Sequence, residues 1–110
     1  MIPIRIATSN KLFGNYHGFA FFIFIFYWKD AEDKETILNH ELIHFWQQVE
    51  LLFIFHWILY LIFYLIGRLS GKNHDTAYIN IPFEKEAYTF EKNGHYVSQR
   101  KAFAWRNFMG

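Results

Sequence analysis

Hydrophobic patterns in the N-terminal quarter of the chain predict β-strands. Residues 2–7 alternate between apolar and other side chains, which is typical of a short, half-buried strand. Residues 19–28 form an unbroken run of ten apolar side chains, most of them aromatic or β-branched. This run is too short to cross a bilayer as a helix, and its composition favours a strand that is buried on both faces. We therefore expect short antiparallel strands within about residues 2–28.

A helical pattern begins at about residue 34. Residues 34–48 contain no glycine or proline, and Asp30 or Asp33 can cap the N-terminal end of a helix there. Apolar side chains recur three and four positions apart, so one face of this helix can pack against a core. We predict a helix over about residues 34–48.

The segment 51–67 is apolar on every side of a helix except at His56, which is expected to be a packed residue rather than a metal ligand. Joined to the preceding helix without a break, it would give a helix about 50 Å long. We therefore expect a bend near residues 48–50 or a helix that leaves the globule. Two interpretations remain open. The helix is either the centre of the core or membrane-associated, because its 17 residues reach the lower limit of a membrane span and are followed by Arg68 and Lys72.

Shorter elements are predicted in the C-terminal third. Residues 70–76 have the composition of a polar loop. Pro82 suits the first turn of a helix, which is expected over about residues 82–93 and is followed by a last helix over about residues 96–108. The chain is thus predicted to be one α+β domain of 110 residues, with short N-terminal antiparallel strands followed by a mostly helical core.

The composition restricts the chemistry of the chain. It has no cysteine, so any bound metal must use nitrogen and oxygen ligands. A net charge of +1 without a long basic block argues against nucleic-acid binding. The N-terminus lacks the pattern of a cleavable secretory signal, so the protein is expected in the cytoplasm or at a membrane. Aromatic residues make up 23% of the chain, an excess that a core, a partner or lipid must cover.

Residues 40–44 carry the most specific signal, the HExxH pattern of zinc-dependent hydrolases, and they lie within a predicted helix. His40 and His44 are four positions apart, so both imidazoles lie on one helical face and can reach one metal ion. Glu41 lies beside them and can act as a general base on a metal-bound water. A catalytic zinc ion usually takes three protein ligands, so a third must come from elsewhere in the chain.

A second element, downstream of the first, gives the chain a family resemblance. Residues 40–48 and 84–88 resemble the HExxHxxQ helix and the E-x-x-A-D element of the gluzincin metallopeptidases. The resemblance implies a zincin-like core in which His40, His44 and Glu84 hold Zn²⁺.

One position departs from the family pattern. Tyr88 replaces an aspartate that orients a metal-binding imidazole, so either the Tyr88 hydroxyl or Glu91, on the same helical face, is expected to do so. Glu86 is the alternative third ligand, and it points about 200° away from Glu84 around the helix. The resemblance favours Glu84, whose place in the first helical turn also suits the helix dipole. In a further alternative, both glutamates are exposed surface acids.

The resemblance also implies a reaction. Glu41 would activate a zinc-bound water to attack the carbonyl of a peptide or protein substrate aligned along a sheet edge. The alternative is a small membrane-associated or interaction protein with a structural or vestigial zinc site. A protease this small with an exposed aromatic surface is expected to act with a partner chain or as a homo-oligomer. Gln47, one turn after His44, can bond to a metal ligand or to a substrate carbonyl, but an exposed side chain is expected. Six side chains are candidates for stabilising the oxyanion, and their spacing does not choose among them: Tyr16, His17, His74, Tyr78, His95 and Tyr96.

Overall fold

The computed structural model describes residues 3–11 and 16–109 and begins with a three-stranded sheet. Its strands are β1 (Ile4–Thr8), β2 (Gly18–Phe21) and β3 (Phe24–Trp28). β3 lies in the middle, with β2 antiparallel to it and β1 parallel to it. The predicted antiparallel pairing therefore holds for the hairpin, whereas β1 runs the other way. Ile2, the start of the first predicted strand, lies outside the described residues.

The aromatic run at residues 19–28 is a hairpin, so the prediction of one continuous strand is wrong. The chain reverses at Phe22, whose φ of 53° lies in the left-handed region. The backbone N–H of Phe22 donates to Gln48 Oε1 at 2.9 Å, which ties the turn to the first helix. No glycine, proline or asparagine marks this turn in the sequence. Its position therefore depends on a contact with a residue far along the chain.

The remaining regular elements of the described chain are helices, which confirms the α+β class. They are α1 (Lys34–Glu50), α2 (Ile54–Leu69), α3 (His74–Ile79), α4 (Pro82–Phe90), α5 (Tyr96–Gln99) and a 3₁₀ helix (Ala104–Phe108). α1 begins where predicted because Asp33 Oδ1 accepts from the backbone N–H of Thr36 at 3.2 Å. α1 packs against β2, β3 and α4.

The predicted bend after the first helix is present, slightly later than expected. α1 continues to Glu50, and Leu52 and Phe53 then adopt φ values of 54° and 63°. These two left-handed residues turn the chain by 111° between α1 and α2. Among the described residues no single helix is both long enough and apolar enough to cross a bilayer, and α1 and α2 reach that length only as a bent pair.

Three other boundaries differ from the sequence prediction. Part of the expected polar loop at residues 70–76 is the first half of α3, whose N-terminus is capped by Asn73. α4 ends at Phe90 instead of residue 93. The expected helix at 96–108 is two short pieces, because Arg100 is extended between them and its side chain bonds to acids of α1 and α4.

α2 is covered on one side only. His56 and Gly67 are its buried residues, and large apolar side chains on the opposite side, such as Ile58 and Leu65, are about half exposed. One face of α2 is therefore open, so the interpretation of α2 as the centre of the core is wrong.

Gly67→Ala is expected to lower the free energy of unfolding by about 1 kcal/mol. A Cβ at Gly67 would lie 3.0 Å from Ala77 Cβ and 3.2 Å from Ala77 Cα, so α2 and α3 would have to separate. This overpacking costs more than the gain in helix propensity. Urea denaturation measures the change. Gly94→Ala is the control because a Cβ there meets no atom within 4 Å, and an equal loss in both variants would contradict the explanation.

Candidate metal centre

Two neighbouring helices bring three potential metal ligands together. His40 and His44 lie one turn apart on α1, and Glu84 lies in the first turn of α4. Glu84 Oε1 is 3.1 Å from His40 Nε2 and 3.0 Å from His44 Nε2, and the two Nε2 atoms are 3.1 Å apart. All three side chains are buried. The ligand atoms therefore form a nearly equilateral triangle inside the protein.

Glu91 orients the first histidine. Its Oε1 accepts from His40 Nδ1 at 3.1 Å, while the ring of Tyr88 packs edge-on against His40 with centroids 4.5 Å apart. Asn39 supports this geometry because its side-chain amide donates to the backbone carbonyl of Glu91 at 2.7 Å. Of the two side chains expected for the orienting role, Glu91 makes the hydrogen bond and Tyr88 supplies a packing surface.

Gln47 orients the second histidine, and the expectation that it is exposed is wrong. Its Nε2 donates to the Phe83 carbonyl and to Glu86 Oε1, both at 3.0 Å. Because both of these partners only accept, the amide oxygen of Gln47 must face His44. His44 Nδ1 therefore donates to Gln47 Oε1, at 2.8 Å.

These outer hydrogen bonds determine the protonation of the ligand atoms that face the centre of the triangle. A histidine that donates from Nδ1 carries a lone pair on Nε2 when neutral, so two imidazole lone pairs and a carboxylate oxygen converge on one point. Such an arrangement is repulsive unless a positive charge lies among the three atoms. The centre is therefore built to hold a cation, either protons or a metal ion.

The pKa values of the metal-free site show the same attraction for positive charge. Burial alone would lower the pKa of His40, but hydrogen bonds to Glu84 and Glu91 outweigh it and raise that pKa to about 10. Burial alone would also lower the pKa of His44, but the Glu84 carboxylate outweighs this effect and raises that pKa. Burial opposes ionisation of Glu84, yet the two imidazoles hold its pKa well below the usual range.

The three residues offer two nitrogen atoms and one oxygen atom, and they fit a metal ion that binds such ligands. His40, His44 and Glu84 each offer a ligand atom within 4.8 Å of the others. In tetrahedral zinc sites, bond lengths of about 2.0–2.2 Å place ligand atoms about 3.3 Å apart, close to the spacing observed here. The identity of the ion belongs to the functional proposal below.

Glu41 lies beside this triangle, on the wall of the adjoining cavity. The side chain is buried, and burial raises the pKa of its carboxyl group. Gly18 of β2 lets the sheet approach closely, since a Cβ at Gly18 would lie 3.0 Å from Glu41 Cγ and 2.7 Å from Ile37 Cγ2. The side chain of Glu41 therefore lies in the narrow space between its own helix, α1, and β2.

Sequence reasoning missed Tyr60 as a contact of the site. The Tyr60 hydroxyl donates to Glu84 Oε2 at 2.6 Å, so it holds the carboxylate oxygen that does not face the histidines. In the sequence, Tyr60 lies on one face of a predicted helix with Trp57 and Tyr64. The polar ends of these aromatic side chains were the feature that could have indicated a contact with the site. The bend between α1 and α2 was expected from the length of the apolar pattern, but its direction, which brings Tyr60 to α4, had no signal in the sequence.

Glu86, the alternative third ligand, has a structural role. It is fully buried, and its carboxylate accepts from Gln47, Tyr96 and Arg100. Both glutamates are buried, so the interpretation of exposed surface acids is wrong. Glu86 acts on the metal centre indirectly, through Gln47.

A mostly apolar cavity of about 490 Å³ adjoins the triangle, with Glu41, His44 and Glu84 in its wall. Of the six candidate oxyanion donors, Tyr16, His74 and Tyr78 also line it. His17 lines a second cavity of about 260 Å³ beside Glu41, Tyr96 binds Glu86, and His95 lines neither cavity.

His56 packs at the back of the larger cavity, as expected. Its ring lies 4.5 Å from that of Phe83, measured between centroids, and both of its nitrogens lack hydrogen-bond partners among the described residues. Burial lowers the pKa of His56 to about 3, so the ring is neutral.

Tyr60→Phe is expected to weaken the binding of a metal ion by the triangle about 10–100-fold, because Glu84 loses the hydrogen bond that fixes its orientation. Competition with a chromophoric chelator measures the affinity. Tyr64→Phe is the matched control, since the Tyr64 hydroxyl contacts His74 and Arg68 and does not contact a ligand. Equal affinities for the two variants would show that Tyr60 does not support the centre.

Comparison of the chain with protein-family models, with curated proteins and with solved structures finds no match.

Proposed function

We propose that the protein is a zinc-dependent hydrolase that cleaves peptide bonds. The observation that carries the proposal is the convergence of His40, His44 and Glu84 on one point. Their outer hydrogen bonds orient the three side chains so that a cation is needed between them. A buried acid and a cavity lie next to them. A structural metal site needs neither the acid nor the open space. The gluzincin-like spacing of the sequence supports the same assignment.

Each residue has a distinct task in this proposal. His40, His44 and Glu84 would hold the ion, which would supply Lewis acidity and lower the pKa of a coordinated water. Glu41 would take the proton of the water that attacks the carbonyl and pass it to the leaving amine. Burial raises the pKa of Glu41, a direction that suits a group that must both accept and release a proton.

The position of β2 supports a peptide as substrate. β2 is an edge strand of the sheet, and Gly18 and Ala20 of this strand line the cavity next to Glu41. An extended peptide can add to such an edge through backbone hydrogen bonds, which would pass its carbonyl groups by the metal ligands. Tyr16 and Tyr78, in the wall of the same cavity, are the candidates for stabilising the oxyanion.

The test compares Glu41→Gln with the wild-type protein. We expect the variant to bind zinc normally and to hydrolyse a mixed peptide pool 10²–10⁴-fold more slowly, because it has lost its proton acceptor. Mass spectrometry of the digested pool gives the rate. Glu35→Gln, an exposed position in the first turn of α1, is expected to match the wild type.

Two results would count against the proposal. Undiminished hydrolysis by Glu41→Gln would remove Glu41 from the reaction. Zinc binding by the wild-type protein without hydrolysis of any peptide would assign the centre the structural role of the alternative interpretation.

A further inference from the structure

The outer side of α2 is a broad surface of apolar side chains. Eight large ones between Ile54 and Leu69 are 44–87% exposed, and Ile58, Ile62 and Leu65 lie along its middle. At 100° per residue, these eight positions cover an arc of about 140°. We call this surface the apolar face of α2. Monomeric soluble proteins rarely expose a contiguous apolar patch of this extent, and such patches mark protein or membrane interfaces.

Neighbouring aromatic residues extend the apolar face beyond the helix. Phe21 and Phe22, at the turn of the hairpin, are about half exposed, and Phe21 packs against Trp57 of α2 with ring centroids 6.2 Å apart. Phe22 packs against Phe53, just before α2, with centroids 4.8 Å apart. The surface is therefore wider than one helix.

The charged residues in the segment that carries this face have one sign. Between Leu51 and His74 the chain contains Arg68 and Lys72 and no aspartate or glutamate. Both cations are exposed near the C-terminal end of α2, and Arg68 lies at the edge of the apolar arc. An anionic lipid surface complements this pattern, because basic side chains beside an inserted helix are attracted to its headgroups.

The width of the face also favours lipid over a second copy of the chain. Two helices that pair bury a narrow stripe of positions on each partner, whereas the arc here spans about 140°. A helix that inserts into the headgroup region has an apolar arc of this width covered by lipid along its whole extent. We propose that the apolar face of α2 docks on the surface of a bilayer that contains anionic lipids, with the helix lying parallel to the membrane plane.

Flotation of the 110-residue chain with lipid vesicles tests this proposal. Wild-type protein should float with phosphatidylcholine vesicles that contain phosphatidylglycerol and bind more weakly to phosphatidylcholine alone. The double variant Ile58→Glu/Leu65→Glu should bind at least tenfold more weakly, because its charges would enter the apolar boundary. Ile79→Glu is the matched control, since this residue is also half exposed but lies on α3, about 200° around that helix from Ala77, which contacts α2.

A second pair of changes separates charge from apolar contact. Arg68→Gln/Lys72→Gln should bind anionic vesicles at least tenfold more weakly and leave binding to phosphatidylcholine unchanged. Circular dichroism and zinc content establish that the variants are folded. His44→Ala should float like the wild type, so docking is measured independently of the metal centre and of the proposed hydrolysis.

Two outcomes would overturn the proposal. Wild-type protein that stays with the unbound fraction for both vesicle types does not dock on lipid. Wild-type protein that forms a dimer in sedimentation, ignores vesicles and becomes monomeric in Ile58→Glu/Leu65→Glu uses the apolar face to bind a second copy of itself.

Discussion

Arg100→Ala is expected to lower the free energy of unfolding by about 3–5 kcal/mol. Arg100 Nε donates to Glu86 Oε2 at 2.5 Å, and its Nη2 donates to Glu86 Oε1 and to Glu50 Oε1, both at 2.9 Å. The side chain of Glu86 is fully buried and that of Arg100 is 5% exposed. Removing the guanidinium would leave a buried carboxylate without its cation, the costliest way to break an ion pair.

Urea denaturation measures this loss, with Lys101→Ala as the exposed neighbour that should change stability by less than about 0.5 kcal/mol. Adding Glu86→Gln to Arg100→Ala should recover part of the stability, because the buried charge disappears with its partner. A loss below about 1 kcal/mol for Arg100→Ala, or no recovery in the double variant, would show that the pair is not buried as the structure has it.

Glu84→Gln is expected to abolish the stabilisation of the protein by zinc. An ion that binds only the folded chain raises the free energy of unfolding by about 2.7 kcal/mol at a hundred times its dissociation constant. The amide of glutamine removes the negative charge from the ligand triangle and leaves the two histidines, so zinc should no longer raise the melting temperature. Thermal denaturation with zinc and with EDTA measures the difference, and Glu35→Gln should respond like the wild type.

The same measurement has a predicted dependence on pH. The pKa of His40 in the metal-free site is raised to about 10, and that of His44 is raised as well, so protons compete with zinc for both rings. Lowering the pH should therefore shrink the zinc-induced shift in melting temperature. A shift that survives in Glu84→Gln, or that grows as the pH falls, would contradict the ligand assignment.

The sequence predicted the part of the site that local periodicity determines. His40 and His44 share a helical face because they are four residues apart on α1, a helix whose cap and lack of breakers were visible in the sequence. Glu84 was expected as the third ligand only from the resemblance of residues 84–88 to the gluzincin element, and the structure brings it into the triangle. These elements were recognisable because each depends on few neighbouring residues.

The supporting contacts could not be predicted, because they depend on how the helices cross. Gln47 is buried only because α4 covers it, and Tyr60 reaches Glu84 only because left-handed residues, unmarked by glycine, reverse the chain after α1. The hairpin turn at Phe22 likewise depends on a residue distant in sequence, since the backbone N–H of Phe22 donates to Gln48. In each case a contact distant in sequence determines the conformation.

The zinc content of purified protein tests the central claim, that His40, His44 and Glu84 form one metal centre. After dialysis against zinc and removal of loosely bound ions, elemental analysis should give about one zinc per chain for the wild type and for Glu41→Gln. His44→Ala should retain none. A wild-type chain without zinc, or a His44→Ala chain that keeps its full complement, would contradict the account.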